Sequence, residues 1–182
     1  RQTVLIYFFR GLIYMTSGKQ NEFLTPEELE RLSRDYLIEH KVITILSPDY
    51  VREHGVFWDD AELDWDECGY YTVDRDGVRF TGLAYEVYDH KDMKYYPFFN
   101  TDFQDGTLMD YVYYVNGLQD GADVDFYPSG ALQSYRVYDN GKAVGKSYEW
   151  YENGMIKKVV DYSRKERIEF NKQGKITNQG KV

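Results

Sequence analysis

Three histidines, one cysteine and 31 carboxylates are the side chains of this 182-residue sequence with the most obvious capacity for chemistry. They could transfer protons, attack a substrate or hold a metal. His40, His54 and His90 are spread along the chain without the short spacing that an imidazole-based metal site needs. His40 and His54 both fall where helices should end, a position that favours a cation. Cys68 stands alone, which removes an intramolecular disulfide and any Cys-rich zinc site. The carboxylates around it, Asp64, Asp66 and Glu67, work against a thiolate nucleophile. No Gly-rich phosphate loop, nucleophile elbow or zinc signature is present. Carboxylates are numerous enough for a glycosidase-like pair, but no spacing singles one out. The expectation is a protein without catalytic residues and without a cofactor.

The densest acidic run invites a metal reading and then resists it. Asp60, Glu62 and Asp64 occupy alternate positions, as in a calcium loop. That loop needs Gly at its sixth place and a bidentate Glu at its twelfth, where this chain has Trp65 and Tyr71. No metal is therefore expected. Asp60, Glu62, Asp64 and Asp66 alternate with Ala61, Leu63 and Trp65, a period of two that predicts a strand. Its acids would share a solvated face, and Trp65 would lie in the core.

Charge is distributed unevenly. Residues 59–126 carry 17 acids against 4 bases, and residues 163–182 carry 2 acids against 6 bases, within a total of −9. An acidic middle repels nucleic acid and anionic membranes and steers a basic partner towards it. The same charge also keeps a Tyr-rich sheet in solution. The apolar stretch from Val4 to Met15 is broken by Arg10-Gly11 and is shorter than the roughly 20 residues of a membrane span. It reads as two strands joined by a tight turn, or as the remnant of a signal segment. A single cysteine suits a reducing cytosol, so a cytoplasmic location is expected.

The elements that must position these groups have clear signals. Thr25-Pro26-Glu27-Glu28 forms a capping box, with Leu29, Leu32 and Tyr36 on one face, and predicts a helix ending near His40. Val42–Leu46 reads as a strand. Ser47-Pro48-Asp49 starts a short helix that Gly55 should stop after His54. Aromatics make up 18% of the chain, including 19 Tyr, and favour sheet over a helix bundle.

The C-terminal half repeats itself at a shift of 24 residues. Residues 103–126 and 127–150 share Gly106/Gly130, Leu108/Leu132, Tyr111/Tyr135, Tyr114/Tyr138, Asn116/Asn140, Gly117/Gly141 and Gly121/Gly145. A third copy begins at Tyr151 and keeps Gly154, Ile156 and Tyr162. A shortened early copy runs from Tyr88 through Met93, Tyr96 and Phe99, and a degenerate last one spans residues 170–176. Asn116-Gly117 and Asn140-Gly141 predict two-residue hairpin turns with positive φ. Gly106, Gly130 and Gly154 supply the opposite turns. Each unit is two antiparallel strands, and neighbouring units must stack to bury their aromatics.

The line FYPSGALQSYRVYDNGKAVGKSYEWYENGMIKKVVDY resembles the variant MORN repeat: an aromatic, Gly, an aliphatic, Tyr, Asn-Gly, Gly and an aromatic. Proteins of this type look like the YwqK-type antitoxin or immunity components of bacterial toxin systems. The resemblance implies a non-catalytic role in binding a partner protein. Three segments are expected: an α+β portion over 1–75, repeats over 76–176 and a tail over 177–182. The fold class is mainly β, a single-sheet antiparallel meander of hairpins. The expected function is occlusion of a cognate basic toxin, through Asp59, Asp60, Glu62, Asp64, Asp66, Asp120, Asp123 and Asp125. Neither nucleic acid nor membrane insertion is expected. A structural scaffold or cell-envelope interaction module is the alternative.

Overall fold

The structure, a computed structural model, describes residues 24–91 and 103–182. The turn expected at Arg10-Gly11 and most of the early copy between Tyr88 and Phe99 lie outside the described residues. The first described elements are three short helices, α1 (Pro26–Arg31), α2 (Arg34–Glu39) and α3 (Pro48–His54). The capping box at Thr25 forms in both directions, Thr25 N–H to Glu28 Oε2 at 2.7 Å and Glu28 N–H to Thr25 Oγ1 at 3.3 Å. The single helix expected from Thr25 to His40 is divided at Leu32-Ser33. Ser33 leaves the helical conformation (φ −63°, ψ 149°) and its hydroxyl accepts the Tyr36 N–H, starting a second helix. A Ser that bonds its own backbone this way competes with the helix around it.

His40 and His54 close α2 and α3 as expected. Each ring lies at hydrogen-bond distance, 3.0 Å, from the carbonyl four residues earlier, Tyr36 and Tyr50. Each also stacks on the ring of that tyrosine. Val42–Leu46 does not form a strand. Val42 and Ile43 bend back on α2 through Leu37 O, and the segment packs on the sheet, with Ile43 buried and Leu46 N–H donating to the Tyr111 hydroxyl at 2.9 Å. A strand needs a free edge to pair with, and this segment crosses side chains instead.

The main sheet has nine strands in the order β1-β4-β5-β6-β7-β8-β9-β10-β11. These are β1 (Val56–Phe57), β4 (Gly82–Val87), β5 (Leu108–Val115), β6 (Leu118–Phe126), β7 (Leu132–Asp139), β8 (Lys142–Trp150), β9 (Ile156–Asp161), β10 (Glu166–Phe170) and β11 (Ile176–Lys181). All pairs are antiparallel except β1 with β4. The expected single-sheet meander of hairpins is therefore the architecture observed. Residues 177–181, expected to be tail, complete the sheet as most of β11. A separate pair, β2 (Asp64–Trp65) and β3 (Thr72–Val73), forms a small lobe.

The repeat chemistry is visible in the turns. Asn116-Gly117 and Asn140-Gly141 take φ of 51°/79° and 48°/75°, the doubly positive conformation that matches the twist of a hairpin. A bulge recurs near the end of β4, β6, β8 and β10, at Glu86/Val87, Asp125/Phe126, Glu149/Trp150 and Glu169/Phe170. The tyrosines that open each unit tie it to the next. The hydroxyls of Tyr88, Tyr127 and Tyr151 donate to the carbonyls of Phe126, Trp150 and Phe170, each at 2.8 Å.

One alignment changes. Gly106 N–H donates to Tyr88 O as Gly130 N–H does to Tyr127 O, so Tyr88, and not Phe103, occupies the place of Tyr127. Seventeen residues lie between Tyr88 and Gly106 where two lie between Tyr127 and Gly130. The first opposite turn is thus a long insertion.

The two faces of the sheet differ. The inner face carries a row of partners, Tyr85, Tyr111, Val124, Tyr135, Tyr148 and Val159, one from each of six strands. Helices α1–α3 and the segment after α2 cover it with Leu24, Leu32, Leu37, Ile43 and Val51. Trp150 is fully buried there, its indole N–H donating to Leu32 O at 3.0 Å. On the outer face, Leu63 of the lobe packs on Ala84 and Tyr114, with Trp58, Ala61 and Phe80 around them. Among the described residues no helix is long and apolar enough to cross a membrane.

Candidate functional site

The acids singled out in the sequence separate into two places. Asp59, Asp60, Glu62, Asp64 and Asp66 belong to the lobe, and Asp120, Asp123 and Asp125 to β6. The expected strand over Asp60–Asp66 does not form. Residues 58–62 fold into a helical turn, closed by Ala61 N–H to Phe57 O at 3.0 Å and Leu63 N–H to Trp58 O at 3.1 Å. Glu62 takes a φ of 47°, which ends that turn, and only Asp64–Trp65 pairs as strand. The acids therefore do not share one strand face.

Trp65, expected in the core, is 51% exposed, and Leu63 is the buried anchor of the segment. The turn shifts the phase of the pattern, so the period-two assignment fails at its first residue. Trp65 borders an open cleft of about 770 Å³ in the lobe. Its walls hold five carboxylates, Glu62, Asp64, Asp66, Glu67 and Asp74, against the single cation Arg75. Asp66 is a fastener: its Oδ1 accepts Tyr70 N–H at 2.7 Å and Tyr71 N–H at 3.1 Å. These backbone bonds hold its carboxyl below the usual aspartate range. Asp74 closes the next turn by accepting Asp76 and Val78 N–H at 3.0 and 2.9 Å. Asp59 and Asp60 are exposed on the preceding turn.

Sequence reasoning missed the second arrangement. On the outer sheet face, Glu86, Asp110 and Asp125 are direct cross-strand partners on β4, β5 and β6, and Asp123 lies two residues from Asp125. Arg136 on β7 answers part of this charge, with Nη2 2.6 Å from Asp125 Oδ2 and 3.4 Å from Asp123 Oδ1. The Ser134 hydroxyl also donates to Asp125. Asp120 accepts Asn140 N–H at 3.2 Å. Burial first, then the charges of Glu86, Asp125 and Asp123, push the Asp110 carboxyl up to about 8. Burial likewise raises Asp123 to about 6 against the pull of Arg136. Of the eight acids Asp123 alone is buried, and it is ion-paired, while Asp59, Asp60, Glu62 and Asp64 of the lobe are exposed.

The repeat itself carried a signal for this row. One unit later the equivalents of Asp110 and Asp125 are Ser134 and Glu149, and Lys158 bonds Glu149 at 3.1 Å. The first unit is acidic where the second is neutralised.

Comparison with protein-family models, curated proteins and solved structures gives no match. The site's chemistry must be read from its own geometry. Among the described residues no group of three or more His, Cys, Asp or Glu is placed to hold a metal ion. The one cysteine, Cys68, is exposed on the lobe.

Asp110 gives a pH test. A carboxyl whose folded pKa is raised contributes stability that is fully present below its unfolded value near 4. That contribution is lost as pH rises through about 8. The melting temperature is expected to fall between pH 5 and pH 9, and Asp110→Asn should flatten the fall by removing the titration. At pH 9 the variant should melt above the parent. A parent-like slope in Asp110→Asn would show that another group titrates.

Proposed function

We propose that the chain is a non-catalytic binding module of the immunity or antitoxin kind. It would occlude a basic surface of a cognate bacterial toxin through its acidic lobe. The observation that carries this reading is the cleft beside Trp65. It sets five carboxylates against one cation, next to a large aromatic left half in solvent, on a lobe anchored to a nine-stranded sheet. Exposed tryptophan and unneutralised charge are the features of a protein-binding patch. Concentrated acid also raises the rate at which a basic partner arrives. His40 and His54 are used as helix caps, and the resemblance to variant MORN antitoxins supports the same class of role.

The test uses the protein encoded beside this chain and recovered with it from the native host. Association with that partner should slow as ionic strength rises. Asp60→Lys with Asp64→Lys should slow it further and flatten the salt dependence. The rival scaffold reading draws on β11, which ends the sheet and has no strand on its outer side among the described residues. Edge strands of this kind recruit other strands. A partner whose association ignored salt and depended on β11 would favour it.

A further inference from the structure

We infer that the cleft beside Trp65 is a receptor for an arginine side chain on the partner, with the guanidinium stacked on the indole. The inference rests on the reading of this lobe as a surface for basic proteins, and it names the residue type received. Trp65 is the one tryptophan not packed away: Trp150 is fully buried and Trp58 packs with the Leu63–Tyr114 cluster. Among the described residues neither a ring nor a cation lies against the Trp65 indole.

The carboxylates of the cleft divide by what they already do. Asp66 and Asp74 are committed to backbone N–H groups, and Glu62 faces Arg75 at 3.9 Å. Asp64 uses only one oxygen, on its neighbour's N–H at 2.7 Å. Glu67 makes no hydrogen bond or ion pair among the described residues. Two carboxylates with acceptor capacity thus line the same cleft as an unoccupied indole face.

Arginine fits this combination better than other cations. Its planar guanidinium stacks on an aromatic face while its edge N–H groups bond carboxylates, which a spherical ammonium cannot do together. The lobe contains a working example: the Arg79 guanidinium carbon lies 3.5 Å from the centre of the Tyr71 ring. A divalent metal would need converging ligands, and the described acids do not form such a group.

The experiment titrates the full chain, with ¹⁵N-labelled tryptophan, against capped penta-arginine and penta-lysine peptides of equal charge. Penta-arginine is expected to move the Trp65 indole N–H resonance and leave that of Trp150 in place. It should bind roughly two- to fivefold tighter than penta-lysine, the scale of an exposed cation–π contact. Trp65→Leu should abolish this preference while still binding both peptides, and Trp65→Phe should keep part of it. Because Trp65 is exposed, neither variant should disturb folding, and a melting curve checks this. If both peptides bind alike and the Trp65 resonance stays still, the arginine receptor is overturned while the acidic-lobe reading stands. Retention of the preference in Trp65→Leu also overturns it. If neither peptide binds, both readings fall.

Discussion

Replacing Gly117 by valine is expected to destabilise the protein by about 3 kcal/mol or more, and replacing Gly141 the same way by about 1–3 kcal/mol. Both glycines hold the second place of an Asn-Gly hairpin turn, at φ of 79° and 75°, where a β-branched residue is strained. Their surroundings differ. A side chain at Gly117 would place its first carbon 2.8 Å from the Thr72 carbonyl oxygen, a backbone atom that cannot swing aside. Gly117 also donates to Phe80 O at 2.7 Å and accepts Thr72 N–H at 2.8 Å, so this turn is held by the segment that carries the lobe. At Gly141 the nearest atom is a terminal methyl of Leu118 at 3.3 Å, the end of a flexible side chain and not backbone. Urea unfolding midpoints of the two variants check the order. Equal losses would mean that the lobe does not clamp the β5–β6 turn.

Trp150→Ala should cost about 3–5 kcal/mol, the range for emptying a large aromatic site in a core. The side chain is fully buried, lies near-parallel to Tyr148 at 5.8 Å between ring centres, and satisfies the Leu32 carbonyl where α1 ends. Trp150→Phe keeps most of the packing but orphans that carbonyl, for about 1–2 kcal/mol. Hydrogen exchange locates the damage. Protection should fall first in α1 and α2, because Trp150 joins the helical layer to the sheet. Losses confined to β8 and β9 would contradict that role.

The legible parts of this fold were those with local causes. Asn-Gly needs only its own backbone preference to make a hairpin turn, and the capping box of Thr25 with Glu28 needs only four residues to start a helix. Stacked units then follow, since each hairpin buries its Tyr and Leu row only against the next. The strand at Val42–Leu46 failed because composition does not say what a segment packs on: Ile43 is buried in the core and Leu46 N–H bonds the Tyr111 hydroxyl, with no strand paired to either among the described residues. Trp65 failed for a different reason. A period of two is informative only if the chain is already extended, and here the pattern starts within the turn of residues 58–62 that Glu62 ends. The carboxylate row on β4–β6 involves residues 86, 110 and 125, whose juxtaposition depends on strand register. That register was hidden by the long insertion between Tyr88 and Gly106.

Placement in space also changes how the binding reading should be probed. Asp161 is a poor control for surface charge, because it is buried and accepts Arg164 N–H at 3.0 Å and the Ser163 hydroxyl at 2.5 Å. Glu39 and Glu152 are exposed and far in sequence from the lobe, so they serve instead. Asp60 and Asp64 are both exposed, so Lys at these positions should leave the melting temperature near that of the parent.

The most direct test of the acidic lobe as the partner-binding surface is the association rate of the native partner, measured against ionic strength. Three proteins are compared: the parent, Asp60→Lys with Asp64→Lys, and Glu39→Lys with Glu152→Lys. The predicted result is a slower association with a shallower salt slope for the lobe pair alone, by about tenfold in rate at low salt. Equal behaviour of the two pairs, with both variants melting like the parent, would contradict the account.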